Sequence, residues 1–293
     1  MRMMSDRPSP HQWAFKLSHV LNTVLGHDHF PINVGDIAKE YSAQICPEAP
    51  ITLVSGKSLP GFEGGLFKAP PGKKEGWGIF YNSDIRSQGR INFTLAHELG
   101  HYLQHRDQYP EGISCGEQDF YRWESEYGQV EHQANQFAAN LLMPLDDYRK
   151  QIGSNIKIDA QMIDHITERY GVSLLAALLR WIEYTEQRAV LIVSRDDFIL
   201  WARSSKSALK SGAFFRTANV PPVAIPVHSI AANKKNINED TARAGKCLKE
   251  GIWFNEPCNE FTIFSEQYDF VISLIQLPKT PENTYDRIRI QRH

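Results

Sequence analysis

Phe93-Thr94-Leu95-Ala96-His97-Glu98-Leu99-Gly100-His101 sets two histidines four residues apart around a glutamate, behind an apolar run. On a helix, residues four apart lie on one face, so the imidazoles of His97 and His101 can share one Zn2+, with Glu98 beside the first of them. A catalytic zinc takes three protein ligands and keeps one position open. A third ligand is therefore needed elsewhere in the chain. With it the expected chemistry is amide hydrolysis: the Glu98 carboxylate takes a proton from an attacking water and returns it to the leaving amine, without a covalent intermediate. Chance alone gives a chain of 293 residues an HExxH roughly 1% of the time. Leu95, Ala96, Leu99 and Leu103 form a core-facing stripe, which leaves His97 and His101 on the side that needs a polar cleft.

Glu131-His132-Gln133-Ala134-Asn135-Gln136-Phe137-Ala138-Ala139-Asn140-Leu141-Leu142-Met143-Pro144 reads as a second helix that ends before Pro144, with Ala134, Phe137, Ala138, Leu141 and Leu142 on its packing side. Three residues compete for the third ligand position. Glu131 completes a His/His/Glu set, and Asn135, one turn later, can receive the ring N–H of a ligand histidine. His132 is its neighbour. His105 lies four residues beyond His101, but recruiting a third histidine from the same segment takes a helix-breaking glycine that Tyr102-Leu103-Gln104-His105 lacks. His105 then sits about 6 Å further along the helix. Ligand geometry places Glu131 ahead of both histidines, which are expected to be solvated or to assist substrate binding.

The stretch Arg90-Ile91-Asn92-Phe93-Thr94-Leu95-Ala96-His97-Glu98-Leu99-Gly100-His101-Tyr102-Leu103, followed by Glu131-x-x-Ala134-Asn135-x-Phe137-Ala138-Ala139-x-Leu141-Leu142-Met143-Pro144, resembles the ImmA/IrrE family of bacterial metallopeptidases. Gly61-Phe62-Glu63-Gly64 and Trp77-Gly78-Ile79-Phe80-Tyr81-Asn82 resemble the short strands that precede the motif helix in that family, and the likeness covers about residues 30 to 150. The resemblance implies a gluzincin-like site in which His97, His101 and Glu131 bind zinc and Glu98 is the base. It also implies a substrate class, helix-turn-helix repressors whose cleavage releases genes for DNA-damage response or mobile-element transfer. Gln133 stands where the family usually has an acid before Ala-Asn, a departure that leaves Glu131 intact and changes only the charge around the site. Longer members resemble a GAF-type sensor in their C-terminal part, and the position and strand content here are similar.

Composition fits a soluble cytoplasmic protein. A net charge of −2 and a pI near 6.6 argue against a general nucleic-acid or membrane binder. Cys46, Cys115, Cys247 and Cys258 show no C-x-x-C spacing, which suits a reducing cytosol and structural thiols. Cys115 falls between the two motif segments, within reach in sequence of a metal they would hold; inert burial is the expectation. No apolar h-region follows the N-terminus and no run of apolar residues is long enough to span a bilayer, so secretion and membrane insertion are not expected.

The chain as a whole reads as an α+β protein in three parts. Residues 1–150 form a zincin-like peptidase domain with a small β-sheet, with helices over Pro10 to Leu25 and Ile32 to Ile45, short extended runs from Ile51 to Asn82, and a long loop from Asp107 to Gly128. Residues 151–186 carry two helices, Ala160 to Tyr170 and Ser173 to Tyr184, joined at Gly171-Val172 like a helix-turn-helix. The second of these offers only Arg180 for DNA recognition, so the pair is read as packing and no direct nucleic-acid contact is expected. Residues 187–293 form a C-terminal mixed or antiparallel sheet domain, with strands at Ala189 to Ser194, Phe198 to Arg203, Pro222 to Ile230, Ile252 to Asn255, Phe261 to Phe264 and Tyr268 to Leu277. Its 15 Lys/Arg against 11 Asp/Glu could meet an acidic partner or be a solvated face.

The leading expectation is a zinc endopeptidase that cuts a helix-turn-helix repressor, with the C-terminal sheet sensing a signal or docking the substrate. The alternatives are the peptidase component of a toxin-antitoxin or phage-related module, and a non-enzymatic metal-dependent sensor or regulator. Glu98 has no purpose in the last of these. Tyr102, His105 and Tyr109 are the nearby donors for an oxyanion.

Overall fold

The computed structural model describes residues 8–72, 75–116, 126–265 and 270–279. In chain order its elements are α1 (Pro10–Leu25), α2 (Val34–Ile45), β1 (Ile51–Lys57), β2 (Phe62–Lys68), β3 (Trp77–Asn82), α3 (Gln88–Gln104), β4 (Gly112–Gly116), α4 (Glu126–Leu142), α5 (Leu145–Gln151), α6 (Ala160–Tyr170) and α7 (Leu174–Tyr184). They continue as β5 (Ala189–Arg195), β6 (Phe198–Ser204), α8 (Lys206–Lys210), β7 (Val223–Ala224), α9 (Glu239–Ala244), β8 (Lys246–Leu248), β9 (Cys258–Ser265) and β10 (Phe270–Gln276), with a 3-10 turn at Ala231–Asn233. The architecture is α+β, as expected. Contacts divide the chain into two units, Met1–Tyr148 with His165–Ser173, and Arg149–Asp164 with Leu174–His293. Among the described residues, no helix is long and apolar enough to cross a membrane.

In the first unit the helix starts follow from local chemistry. Ser9 caps α1 through a reciprocal pair, its hydroxyl accepting from the Gln12 N–H while the Gln12 side chain accepts from the Ser9 N–H. Asn33 caps α2 and Ser87 caps α3 in the same way, each by a side-chain oxygen on a backbone N–H three residues on. The sheet has the order β1-β3-β2-β4. β2 pairs antiparallel with β3 and β4, whereas β1 runs parallel to β3 with Val54 opposite Ile79. The short extended runs expected from Ile51 to Asn82 are thus present as strands, β2 and β3 paired antiparallel and β1 joined by a parallel pairing. The segment expected as one loop from Asp107 to Gly128 contains β4 and the first residues of α4.

α3 lies against β2, β3 and α4, and α1 packs on α4. Leu66 and Ile79 from the sheet, Ala96, Leu99 and Tyr102 from α3, and Ala134, Phe137 and Ala138 from α4 are fully enclosed. Gly100 permits the close approach of the two helices: a Cβ there would stand 3.0 Å from the Phe137 ring and 3.3 Å from the Ala134 Cα. At the end of this unit Tyr148 and Tyr170 stack, and the Tyr170 hydroxyl donates to Asp147, which also receives the Arg169 guanidinium.

In the second unit six strands form the antiparallel order β7-β6-β5-β10-β9-β8. Asp196 and Asp197 both have positive φ, which makes a tight two-residue turn between β5 and β6. The Ala177-Leu178 and Trp181-Ile182 face of α7 is buried, and Arg180 is 3% exposed beside Glu183, so the helix packs as expected. Two strand expectations are corrected. Pro222 to Ile230 keeps only the two-residue β7, because Pro226 supplies no N–H to a ladder and the chain turns at Val227-His228-Ser229. Ile252 to Asn255 is no strand: Phe254 makes one isolated bridge to Glu256, and Trp253 turns into the core. The short β8 occupies the sheet edge instead.

Candidate metal centre

α3 and α4 carry every member of the site. The residues Thr94 to Leu103 of α3 are all buried, His97 at 3%, Glu98 at 0% and His101 at 0% exposure, and Glu131 on α4 is at 4%. The four-residue spacing puts the two imidazoles on one face with their Nε2 atoms 2.9 Å apart. The Glu131 carboxylate closes the third side, Oε2 at 3.1 Å from His97 Nε2 and Oε1 at 3.3 Å from His101 Nε2. Among the described residues, His97, His101 and Glu131 form the group of potential ligands whose donor atoms lie within 4.8 Å of one another. Donors around one tetrahedral zinc, with bonds of about 2.0–2.1 Å, stand about 3.3 Å apart. The donor set and its spacing fit such an ion.

The outer contacts fix which ring nitrogen faces inward. His97 Nδ1 lies 3.0 Å from Asn135 Oδ1, a carbonyl oxygen that can only accept, so the His97 proton belongs on Nδ1 and the Nε2 lone pair points to the centre. His101 Nδ1 lies 3.0 Å from His105 Nδ1, and His105 Nε2 lies 2.9 Å from Gln133 Oε1. Two inward lone pairs at 2.9 Å repel unless a cation sits between them.

The electrostatics without metal agree with that reading. Burial pushes the His101 imidazole down to about 3, helped by the neighbouring His97 and opposed by Glu131. For His97, burial acts downward but is outweighed by the Glu131 hydrogen bond and the Glu98 and Glu131 charges, so its pKa is raised. Burial acts upward on Glu131, yet the hydrogen bonds and charges of the two histidines hold it well below the usual carboxylate range. Without a metal, His97 thus holds a second proton more readily than a free imidazole does, His101 less readily, and the Glu131 carboxylate beside them favours its ionised form.

Glu98 turns toward the sheet side. A Cβ placed on Gly64 of β2 would stand 3.3 Å from Glu98 Oε1, 2.4 Å from Thr94 Cγ2 and 2.9 Å from the Phe80 carbonyl, so only a glycine lets β2 pass this closely behind the carboxylate. Of the two histidines outside the triad, the sequence expectation is revised for His105 and not for His132. His105 is neither solvated nor open to substrate: it is 2% exposed and stands behind His101, outside the donor group. Four-residue spacing from His101 was its sequence signal. His132 is exposed, beside Gln136, away from the donor group. Of the oxyanion donors, the Tyr102 hydroxyl donates to the Ala49 carbonyl, both His105 ring nitrogens are engaged, and Tyr109 packs on Ile113 and Val130. Cys46 and Cys258 are buried free thiols and Cys247 is exposed; the Cys115 side chain lies outside the described ones.

Residues 51–181 match the Peptidase_M78 family model, described as an IrrE N-terminal-like domain. The matched span begins at β1, ends within α7 and holds His97, Glu98, His101, His105, Glu131, Gln133 and Asn135. Among solved structures, a Mycobacterium tuberculosis transcriptional regulator is similar in fold, with a TM-score of 0.55 at 12% identity over 91% of this chain and 76% of that one. No curated protein matches the chain by sequence.

Proposed function

We propose, for a chain whose residues 51–181 match the IrrE N-terminal-like domain model of Peptidase_M78, that His97, His101 and Glu131 hold a zinc ion and that Glu98 is the general base of a site-specific endopeptidase. The observation that carries this reading is the convergence of three buried donor atoms, two of them imidazole nitrogens whose protons are drawn outward by Asn135 and His105. A zinc bound there supplies Lewis-acid polarisation of an amide carbonyl and of water. Glu98, next to the first ligand and enclosed in the protein, takes the proton of the attacking water and delivers it to the leaving nitrogen. The two histidines keep their orientation through this exchange because their outer hydrogen bonds are made to Asn135 of α4 and to His105 at the end of α3.

The substrate is a protein, and we assign it to the helix-turn-helix repressors. The ImmA/IrrE resemblance of the motif region supports that class, and a transcriptional regulator of similar fold is consistent with a gene-control setting. β4 is the outer strand of its sheet, and an extended peptide can add to such an edge through main-chain hydrogen bonds. Its partner β2 carries the Gly64 that stands against Glu98. The cytoplasm is the place of action this substrate requires. The test is incubation of the zinc-loaded chain and its Glu98→Gln variant with the helix-turn-helix repressor encoded nearest its gene, followed by mass spectrometry. One cut by the natural chain alone is the expected result. A cut made equally by both proteins would remove Glu98 from the reaction.

A further inference from the structure

We propose that His105, with Gln133 behind it, is a positioning residue of the metal centre: it locks His101 in the one tautomer and ring orientation that present Nε2 to the metal. The proposal rests on the metal-site reading above. Its evidence is a three-member hydrogen-bond chain of defined direction. His101 Nδ1 and His105 Nδ1 are 3.0 Å apart, and two ring nitrogens at that distance share one proton, one donating and the other accepting. His105 Nε2 is 2.9 Å from Gln133 Oε1, which can only accept. The proton of a neutral His105 therefore sits on Nε2, its Nδ1 carries the lone pair, and His101 must donate from its own Nδ1. That leaves the His101 Nε2 lone pair facing His97 Nε2 and Glu131. Run in the opposite sense, the chain would put a proton on His101 Nε2, inside the donor cluster, and leave His105 Nε2 with a lone pair against the Gln133 oxygen.

The position of His105 suits this task. It is the C-cap of α3, its own N–H donating to the His101 carbonyl at 2.8 Å, so its backbone is tied to the residue it orients. The side chain is 2% exposed, which keeps water from replacing it as acceptor. Gln133 is exposed on α4, so the chain ends at the surface with a neutral carboxamide that sets direction without adding charge. Asn135 performs the equivalent service for His97, so α4 fixes both ligand histidines, one directly and one through His105.

The experiment titrates Zn2+ into the full metal-free chain and its variants against a chromophoric chelator, with thermal unfolding of each metal-free protein measured alongside. His105→Leu removes the acceptor at similar volume, His105→Asn keeps an acceptor oxygen near the Nδ1 position, and Gln133→Leu removes the terminal acceptor at an exposed site. Outer partners of metal ligands are worth about 10–100-fold in affinity. The expected result is one equivalent bound by the natural chain, a loss of about that size in His105→Leu, affinity close to the natural chain in His105→Asn, and a smaller loss in Gln133→Leu with unchanged unfolding temperature. Equal affinity of His105→Leu and the natural chain would overturn the proposal, as would equal losses in His105→Leu and His105→Asn. If His105→Leu does not fold, an unchanged Co2+ ligand-field spectrum and affinity in Gln133→Leu overturn it. Failure of the natural chain to bind one equivalent is a different result, and removes the metal-site reading itself.

Discussion

Gly64→Ala tests the packing that holds Glu98 in place. The added methyl would meet Thr94 Cγ2 at 2.4 Å and the Phe80 carbonyl at 2.9 Å. Carbon atoms in contact stand about 3.5–4.0 Å apart, so roughly 1 Å of relief is needed. Thr94 is β-branched and sits in the buried run of α3, so it has little rotamer freedom to give, and the Phe80 carbonyl belongs to the adjacent strand. Relief must come from moving α3 off the sheet. Overpacking of this kind costs about 1–3 kcal/mol, and the stiffer unfolded chain of an alanine offsets about 0.4–1 kcal/mol of it. The net loss of about 1–2 kcal/mol corresponds to a drop of about 2–8 °C in the unfolding temperature of a unit this size. Peptide cleavage falls as well, because Glu98 Oε1 is 3.3 Å from the same position. Circular dichroism of the metal-free chain measures the first effect and a discontinuous cleavage assay the second. Gly35→Ala is the control, since its nearest atoms stand at an ordinary 3.6 Å. A Gly64→Ala protein that melts and cleaves like the natural chain would refute the reasoning.

Two further outcomes follow from buried charges. Glu260, at 0% exposure, accepts from the Ile230 and Ala231 N–H groups, Trp253 Nε1–H and the Thr262 hydroxyl. Glu260→Leu strands these donors at about 1–3 kcal/mol each, so the second unit should lose at least about 3 kcal/mol, read from its urea midpoint and a shift in tryptophan emission. Zinc uptake should strengthen with rising pH. The metal must displace the proton that the raised pKa keeps on His97, whereas His101 is already neutral, so below the His97 pKa apparent affinity falls about tenfold per pH unit. Calorimetry in two buffers of different ionisation heat should count one released proton there; no proton release would refute the assigned charge state.

The helices that build the metal centre were legible because their signals are local. The 3.6-residue apolar rhythm marks α1, α2 and α3, and Pro144 marks the end of α4, whereas the caps Ser9, Asn33 and Ser87 were not read from the sequence. The ligand-type residues were legible for the same reason, since spacing on one helix face dictates which side chains meet. The pairing of β1 with β3 was not, because parallel neighbours carry no turn between them to read. β4 was missed because its sequence, Gly-Ile-Ser-Cys-Gly, has a single large apolar residue and glycine at both ends. In the second unit Trp253 and Ile252 read as a strand by composition, yet Trp253 is placed by its hydrogen bond to Glu260 and its packing on Phe215. His105 shows the limit most clearly: its spacing from His101 signalled contact, but whether a buried histidine binds the metal or orients the one that does depends on Gln133, on another helix.

Metal stoichiometry tests the central claim most directly. Zinc should be measured by elemental analysis after exhaustive dialysis for the natural chain, Glu131→Gln and Glu98→Gln. One equivalent in the natural chain and in Glu98→Gln, with little in Glu131→Gln, is the predicted result. Full occupancy in Glu131→Gln, or none in the natural chain, would contradict the account.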